Sequence, residues 1–258
     1  MFEHQSKCKA MAFVLVAVLT FCSVSVMLTD TEGAANNNET YTINLRVGDT
    51  FTYTPQVNLA STDGANVAIT VDATASSAGM EDNFNGTTFT YQPMTAGEDP
   101  TVKFKASWIK GSLYQYAYQT IEFHVISKIS VTGGESQTSA IGVDSPIGTV
   151  IYTPSVTGGI SPYTYTPTIP SALQNYIQWD GTQFVTSGTM TTAIASGSPY
   201  TVSLTIADKG ISKGEDGKSN ALDADSVTIN LQLTVTDKYV ITVQEYFETF
   251  IGELGDGE

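Results

Sequence analysis

Two stretches of this chain are copies of each other, and a duplicated unit restricts the fold more tightly than any composition does. Thr50-Phe51-Thr52-Tyr53-Thr54-Pro55-Gln56-Val57 returns as Val150-Ile151-Tyr152-Thr153-Pro154-Ser155-Val156. Asn85-Gly86-Thr87-Thr88-Phe89 returns as Asp180-Gly181-Thr182-Gln183-Phe184. Met94-Thr95 returns as Met190-Thr191, and Thr101-Val102-Lys103-Phe104 as Thr201-Val202-Ser203-Leu204. The order is kept and the offset stays near about 100 residues, one small domain's length. The chain therefore reads as two tandem modules of one fold, each large enough to bury its own core.

The modules read as sheets. Val102, Phe104, Ala106 and Trp108 alternate with Lys103, Lys105 and Ser107. Val202, Leu204 and Ile206 alternate with Ser203 and Thr205, and Val227, Ile229, Leu231, Leu233 and Val235 with Thr228, Asn230, Gln232 and Thr234. A period of two marks a strand with one buried and one wet face. Turn residues recur between these runs: Asp63-Gly64, Asn85-Gly86, Gly133-Gly134, Gly158-Gly159, Asp180-Gly181. Many short strands with regular turns predict an all-β chain of two tandem Ig-like β-sandwich domains. We place them at residues 36–130 and 131–237, after an N-terminal segment of 1–35 and before a tail of 238–258. In that tail, residues 239–243 read as a strand and 244–254 carry Phe247, Phe250, Ile251 and Leu254 at helical spacing. Capping the second module, pairing with a neighbour's sheet edge and docking on a partner are all open to it.

The second module resembles the Ig-like and cadherin-like (dystroglycan-type) repeats of microbial surface proteins. The residues that carry the resemblance are Val156-Thr157-Gly158-Gly159-Ile160-Ser161-Pro162-Tyr163-Thr164-Tyr165, then Ile169-Pro170-Ser171-Ala172-Leu173, Ser187-Gly188-Thr189, and Tyr200-Thr201-Val202 leading to Asp208. It spans residues 141–237. The resemblance implies a spacer, adhesin or binding module; the first module shares it only through the internal repeat.

The N-terminus reads as an export signal. Lys7 and Lys9 precede an uncharged run over residues 11–28, and Gly33-Ala34-Ala35 supply small residues for cleavage after Ala35. The run is also long enough to stay as a membrane anchor through residues 10–29. Lys9-Ala10-Met11-Ala12 resembles an archaeal prepilin peptidase motif, which would make the chain a pilin-like filament subunit. Each reading puts the bulk of the chain outside the cell, secreted or anchored to its surface. Both cysteines, Cys8 and Cys22, lie in this segment, so the rest carries no disulfide and no thiolate site.

Little of the chain carries chemistry. There are 26 acidic residues against 11 Lys and Arg, a net charge of -15, which repels phosphate backbones and excludes nucleic acid as a partner. The histidines are His4, in the export segment, and His124, between Phe123 and Val125. No nucleophile–base–acid set can be assembled around a single strand histidine, so the chain reads as non-enzymatic. Trp108, Tyr114, Tyr116 and Tyr118 form the one aromatic cluster suited to a sugar or a protein surface. A continuous strand over residues 113–125 points the tyrosines outward; a bulge near Gln119 would turn them into the core. Asp208, Glu215, Asp216, Asp223 and Asp225 cluster in one loop, with calcium as the candidate cation and a solvated loop as the plainer reading. No other cofactor is expected. Asn38-Glu39-Thr40 and Asn85-Gly86-Thr87 are sequons that fit glycosylation at Asn38 and Asn85. The partners that suit such a chain are surface proteins, glycans, or further copies of itself.

Overall fold

The computed structural model of the chain describes residues 22–23, 27–29, 38–58, 67–110 and 112–237. They fall into two compact units, and the described residues are nearly all strand, turn and loop.

Unit 1 holds the residues up to Ile126 together with Lys213–Asn220. Its strands are β1 (Cys22–Ser23), β2 (Met27–Thr29), β3 (Asn38–Arg46), β4 (Phe51–Tyr53), β5 (Gln56–Asn58), β6 (Ala68–Val71), β7 (Phe89–Tyr91), β8 (Thr101–Lys110) and β9 (Leu113–Ile126). One sheet runs in the order β3-β9-β8-β6, the facing one β1-β4-β7, and β2 pairs with β5. β8 and β9 form a long antiparallel hairpin, from Thr101 opposite Glu122 to Lys110 opposite Leu113, and β3 runs parallel to β9. The alternation puts Val102, Phe104 and Ala106 of β8 and Ile121, Phe123 and Val125 of β9 inside, against Phe51, Tyr53 and Phe89 from the other sheet. The rings meet edge to face: Phe51 on Phe123 at 5.3 Å, Tyr53 on Phe104 at 5.4 Å, Phe89 on Phe104 at 5.6 Å. That geometry sets a positive ring edge on a negative ring face.

The segment Lys213–Asn220 adds to the outer side of β3. Thr42 N donates to Lys218 O at 2.9 Å, and Thr42 bridges Ser219 in parallel. Asn44 and Asn220 exchange four bonds: Asn44 N to Asn220 Oδ1 at 2.6 Å, Asn44 Nδ2 to Asn220 O at 3.0 Å and to Asn220 Oδ1 at 3.4 Å, and Asn220 Nδ2 to Asn44 O at 3.0 Å. Asn44 is buried by this contact although alternation puts it on the wet face.

Unit 2 holds Ser127–Ser212 and the residues from Ala221 onward. Its strands are β10 (Ser130–Val131), β11 (Ser136–Gly142), β12 (Val150–Tyr152), β13 (Val156–Thr157), β14 (Thr164–Thr168), β15 (Ile177–Trp179), β16 (Phe184–Thr186), β17 (Tyr200–Ala207) and β18 (Ser226–Thr236), with one short helix, α1 (Thr192–Ser196). The sheets are β11-β18-β17-β14 and β12-β16-β15, and β10 pairs with β13. β11 lies parallel to β18 as β3 does to β9. β18 alternates exposed and buried along its whole length. Leu173, Ile177, Leu204, Ile206, Ile229, Leu231 and Leu233 fill the core.

The duplicated motifs occupy the same places in both units. Asn85 Oδ1 accepts from Thr87 N at 3.0 Å and Thr88 N at 2.8 Å; Asp180 Oδ1 accepts from Thr182 N at 2.8 Å and Gln183 N at 2.9 Å. The side chain closes each turn together with a backbone bond, from Asn85 N to Thr88 O and from Asp180 N to Gln183 O, both at 3.1 Å. The threonine of each Tyr-Thr-Pro reaches this turn: Thr54 Oγ1 lies 3.3 Å from Thr88 Oγ1, and Thr153 Oγ1 lies 3.0 Å from Gln183 Oε1. The tail, residues 238–258, lies outside the described residues, as does the N-terminal segment of residues 1–35 except β1 and β2. Among the described residues no helix is long and apolar enough to cross a membrane.

Candidate functional site

The β8–β9 hairpin decides where the aromatic cluster points. β9 pairs with β8 without a register shift, so Tyr114, Tyr116 and Tyr118 share the outer face and no bulge intervenes at Gln119. Gln119 is buried instead, its Oε1 accepting from the Tyr53 hydroxyl. Trp108 does not join the tyrosines. It lies on the inward face with Phe104 and Ala106, 3% exposed, packed near Val57, Ile69 and Ala117. Its Nε1 and the Nε2 of Gln119 are buried without a hydrogen-bond partner among the described residues.

Two lysines take the place of the tryptophan. Lys103 and Lys105 project from β8 onto the tyrosine face. Lys105 Nζ stands 4.4 Å from the Tyr116 ring centroid, and Lys103 Nζ 4.8 Å from that of Tyr118. Both distances fall within cation–π range. Tyr114 stacks on Tyr116 with centroids 6.4 Å apart and planes 12° off parallel. Tyr114 is 68% exposed, and Leu113 and Ile109 beside it are exposed as well, so the hairpin tip is apolar and open. Asp72 follows β6 at the rim of this face. Its carboxyl is held below the usual range by the Thr74 hydroxyl, with Lys103 and Lys105 adding to the effect. The face thus offers one open ring, two ammonium groups set over rings, and tyrosine hydroxyls. Such a set can stack on a sugar ring or donate to an anionic group.

His124 is exposed on the same sheet, its Nδ1 3.1 Å from Asn44 Oδ1.

The structure does not gather the loop carboxylates. Asp208 is buried, with Oδ1 accepting from Gly210 N at 3.0 Å and Asp225 N at 2.9 Å, and Oδ2 from Ile160 N at 3.1 Å. Asp225 accepts from Ile129 N at 3.0 Å and from Ser226 N at 3.0 Å. These two aspartates fasten the neck of the loop to β10 and to the turn after β13. Their oxygens face N–H donors, the opposite of what a cation needs. Gly159 makes room for this latch: its φ is +64°, and a Cβ there would stand 2.9 Å from Asp208 Oδ2. Asp216 Oδ1 accepts from Lys218 N at 2.9 Å, while Glu215 and Asp223 are exposed. Among the described residues no group of three His, Cys, Asp or Glu side chains could hold a metal ion.

Of the sequon residues, Asn85 is exposed in its turn, and Asn38 begins β3, opposite Tyr118 of β9. Sequence reasoning missed Lys103 and Lys105 as companions of the tyrosines. The signal was present, since alternation and an antiparallel hairpin place outward residues of both strands side by side.

No family model and no curated protein matches the chain. Among solved structures it is similar to human protocadherin-24 EC1-2, at 11% identity and a TM-score of 0.45 over 77% of this chain and 94% of that one. A second crystal form of the same protein gives 12% and 0.42 over 67% and 82%. Drosophila N-cadherin EC1-4 gives 12% and 0.43 over 77% and 48%. Superpositions this loose carry no argument about ligand or partner, and the sandwich fold rests on the sheets themselves.

Proposed function

We propose that the chain is an exported, non-enzymatic structural or adhesion protein that works outside the cell by presenting the surfaces and edges of Ig-like sandwiches. The observation that carries this reading is the use of its polar side chains. The buried carboxylate of Asp208 and the carboxamides of Asn44 and Asn220 are spent on backbone groups. His124 lies beside Asn44, its Nδ1 3.1 Å from Asn44 Oδ1. The resemblance of residues 141–237 to repeats of microbial surface proteins supports it, as do the signal-like N-terminus and the acidic surface.

One observation favours a second reading, a carbohydrate-binding module. The stacked Tyr114–Tyr116 pair and the two lysines over the tyrosine rings form an exposed platform on unit 1. A glycan array carrying neutral and acidic glycans separates the two readings. The structural reading expects flat signal. Saturable binding that disappears in Tyr116→Ala would overturn it in favour of the module.

A further inference from the structure

The two units differ where the repeat calls for likeness. In unit 2, β10 lies antiparallel on β13, with Ser130 opposite Thr157 and Val131 opposite Val156. The equivalent of β13 in unit 1 is β5, because Tyr53-Thr54-Pro55-Gln56-Val57 corresponds to Tyr152-Thr153-Pro154-Ser155-Val156. β5 is covered by β2, in the opposite sense: Met27 pairs with Gln56, Leu28 with Val57 and Thr29 with Asn58, all parallel. β2 lies inside residues 1–35. Once export removes them, unit 1 has no first strand of its own and β5 is left as a bare edge. A bare edge is a template for strand addition.

The other end of the chain holds a sequence that fits. Ile126 stands opposite Arg46 at the end of the β3–β9 ladder, and Thr236 opposite Gly142 at the end of the β11–β18 ladder. The two positions are therefore equivalent. Counting on from them, Lys128-Ile129-Ser130-Val131-Thr132 corresponds to Lys238-Tyr239-Val240-Ile241-Thr242. The lysine and the threonine are kept, and the residues between suit a strand in both, Ile129-Ser130-Val131 alternating and Tyr239-Val240-Ile241 apolar throughout. The first of these segments contains β10, which leaves β9 and crosses at once to cover the module that comes next. The second follows β18 in sequence as the first follows β9. Its continuation differs: Gly133-Gly134 leads into β11, whereas Val243-Gln244-Glu245 leads into residues of helical spacing.

We propose that exported copies join head to tail, with residues 239–242 of one copy lying antiparallel on β5 in unit 1 of the next. The unit 2 register assigns the pairs: Val240 opposite Asn58 and Ile241 opposite Val57. The joint is heterologous, so it extends into open chains of copies and does not close a dimer. This proposal rests on the reading that export removes residues 1–35.

The test uses exported protein collected from the medium, with its N-terminus fixed by intact mass. Beyond residue 35 the chain has no cysteine, so single cysteines report cleanly. One preparation carries Val240→Cys and the other Asn58→Cys; paired strand residues lie within disulfide reach. Mixing and oxidation are expected to give a disulfide-linked heterodimer. Val240→Cys mixed with Thr90→Cys, an exposed position on β7, gives only background. Light scattering of the unsubstituted protein is expected to show mass rising with concentration, and Ile241→Asp to lose that rise with its circular dichroism unchanged. An N-terminus beyond Thr29 with cross-linking no higher than the Thr90 background overturns the inference and leaves the export reading standing. An N-terminus that retains residues 27–29 sinks the export reading, and the inference falls with it.

Discussion

Unit 1 is built on rings and unit 2 on branched aliphatics, yet the two share a topology. Phe51, Tyr53, Phe89, Phe104 and Phe123 are fully buried in the first, where the second sets Leu173, Ile177, Leu204, Ile206 and Ile229 around the single buried ring of Phe184. What the copies keep is the Tyr-Thr-Pro turn, the Asx turn it touches, and the alternation along the long hairpin. The fold thus follows from period and punctuation, and the core tolerates wholesale change of side chain so long as the space is filled. Divergence reaches single residues too. Met190 is buried beside α1, while its counterpart Met94 is 79% exposed.

The comparison can be broken unit by unit, because Trp108 reports on unit 1 and Trp179 on unit 2. The largest effect is expected from Phe104→Ala. It removes a ring that touches Tyr53, Phe84 and Phe89, and should cost unit 1 about 4 kcal/mol in urea unfolding followed by fluorescence. The Trp179 transition should stay in place; movement of both would mean the units do not keep separate cores. Next comes Asp208→Ala, which strands the N–H groups of Ile160, Gly210 and Asp225. Unit 2 should lose about 3 kcal/mol, with the Trp108 transition unmoved.

The smallest effect is a titration. Burial, and then the nearby Glu39 carboxylate, push the Tyr41 phenol up to about 12. Burial raises Tyr53 further, and Tyr91 is raised as well. In unit 2 burial raises Tyr152. An unfolded tyrosine ionises near pH 10, so the unfolded chain sheds these protons first. The stability they contribute is complete below about pH 10 and is lost as pH rises towards the folded values. Unit 1 should therefore soften more than unit 2 between about pH 10 and 12 in alkaline unfolding curves. Equal softening would contradict the burial assigned to the unit 1 tyrosines.

Much of this was legible in the residues, and the reason is periodicity. Alternation gave both faces of β8, β17 and β18, and the repeated Asn/Asp-Gly-Thr gave the side-chain-closed turns. Nearness in sequence groups Trp108 with the tyrosines, although its place in the alternation with Phe104 carries the inward position it takes. The pairing of Lys213–Asn220 with β3 was not legible. Those bonds run through backbone groups and two asparagines, which leave no hydrophobic period to detect. Nor was the latch at Asp208, since a buried carboxylate fed by amides looks, in sequence, like any acidic loop residue.

The parallel seating of the first long strand against the last has a mechanical consequence. In unit 1 the chain enters at the start of β3 and leaves from the far end of β9, and the two run side by side through nine matched positions. A pull on the chain ends loads that ladder in shear, with every bond stretched at once, where a hairpin would unzip one bond at a time. β11 and β18 repeat the arrangement through seven positions. Under rising load the shorter ladder of unit 2 is expected to give way before that of unit 1.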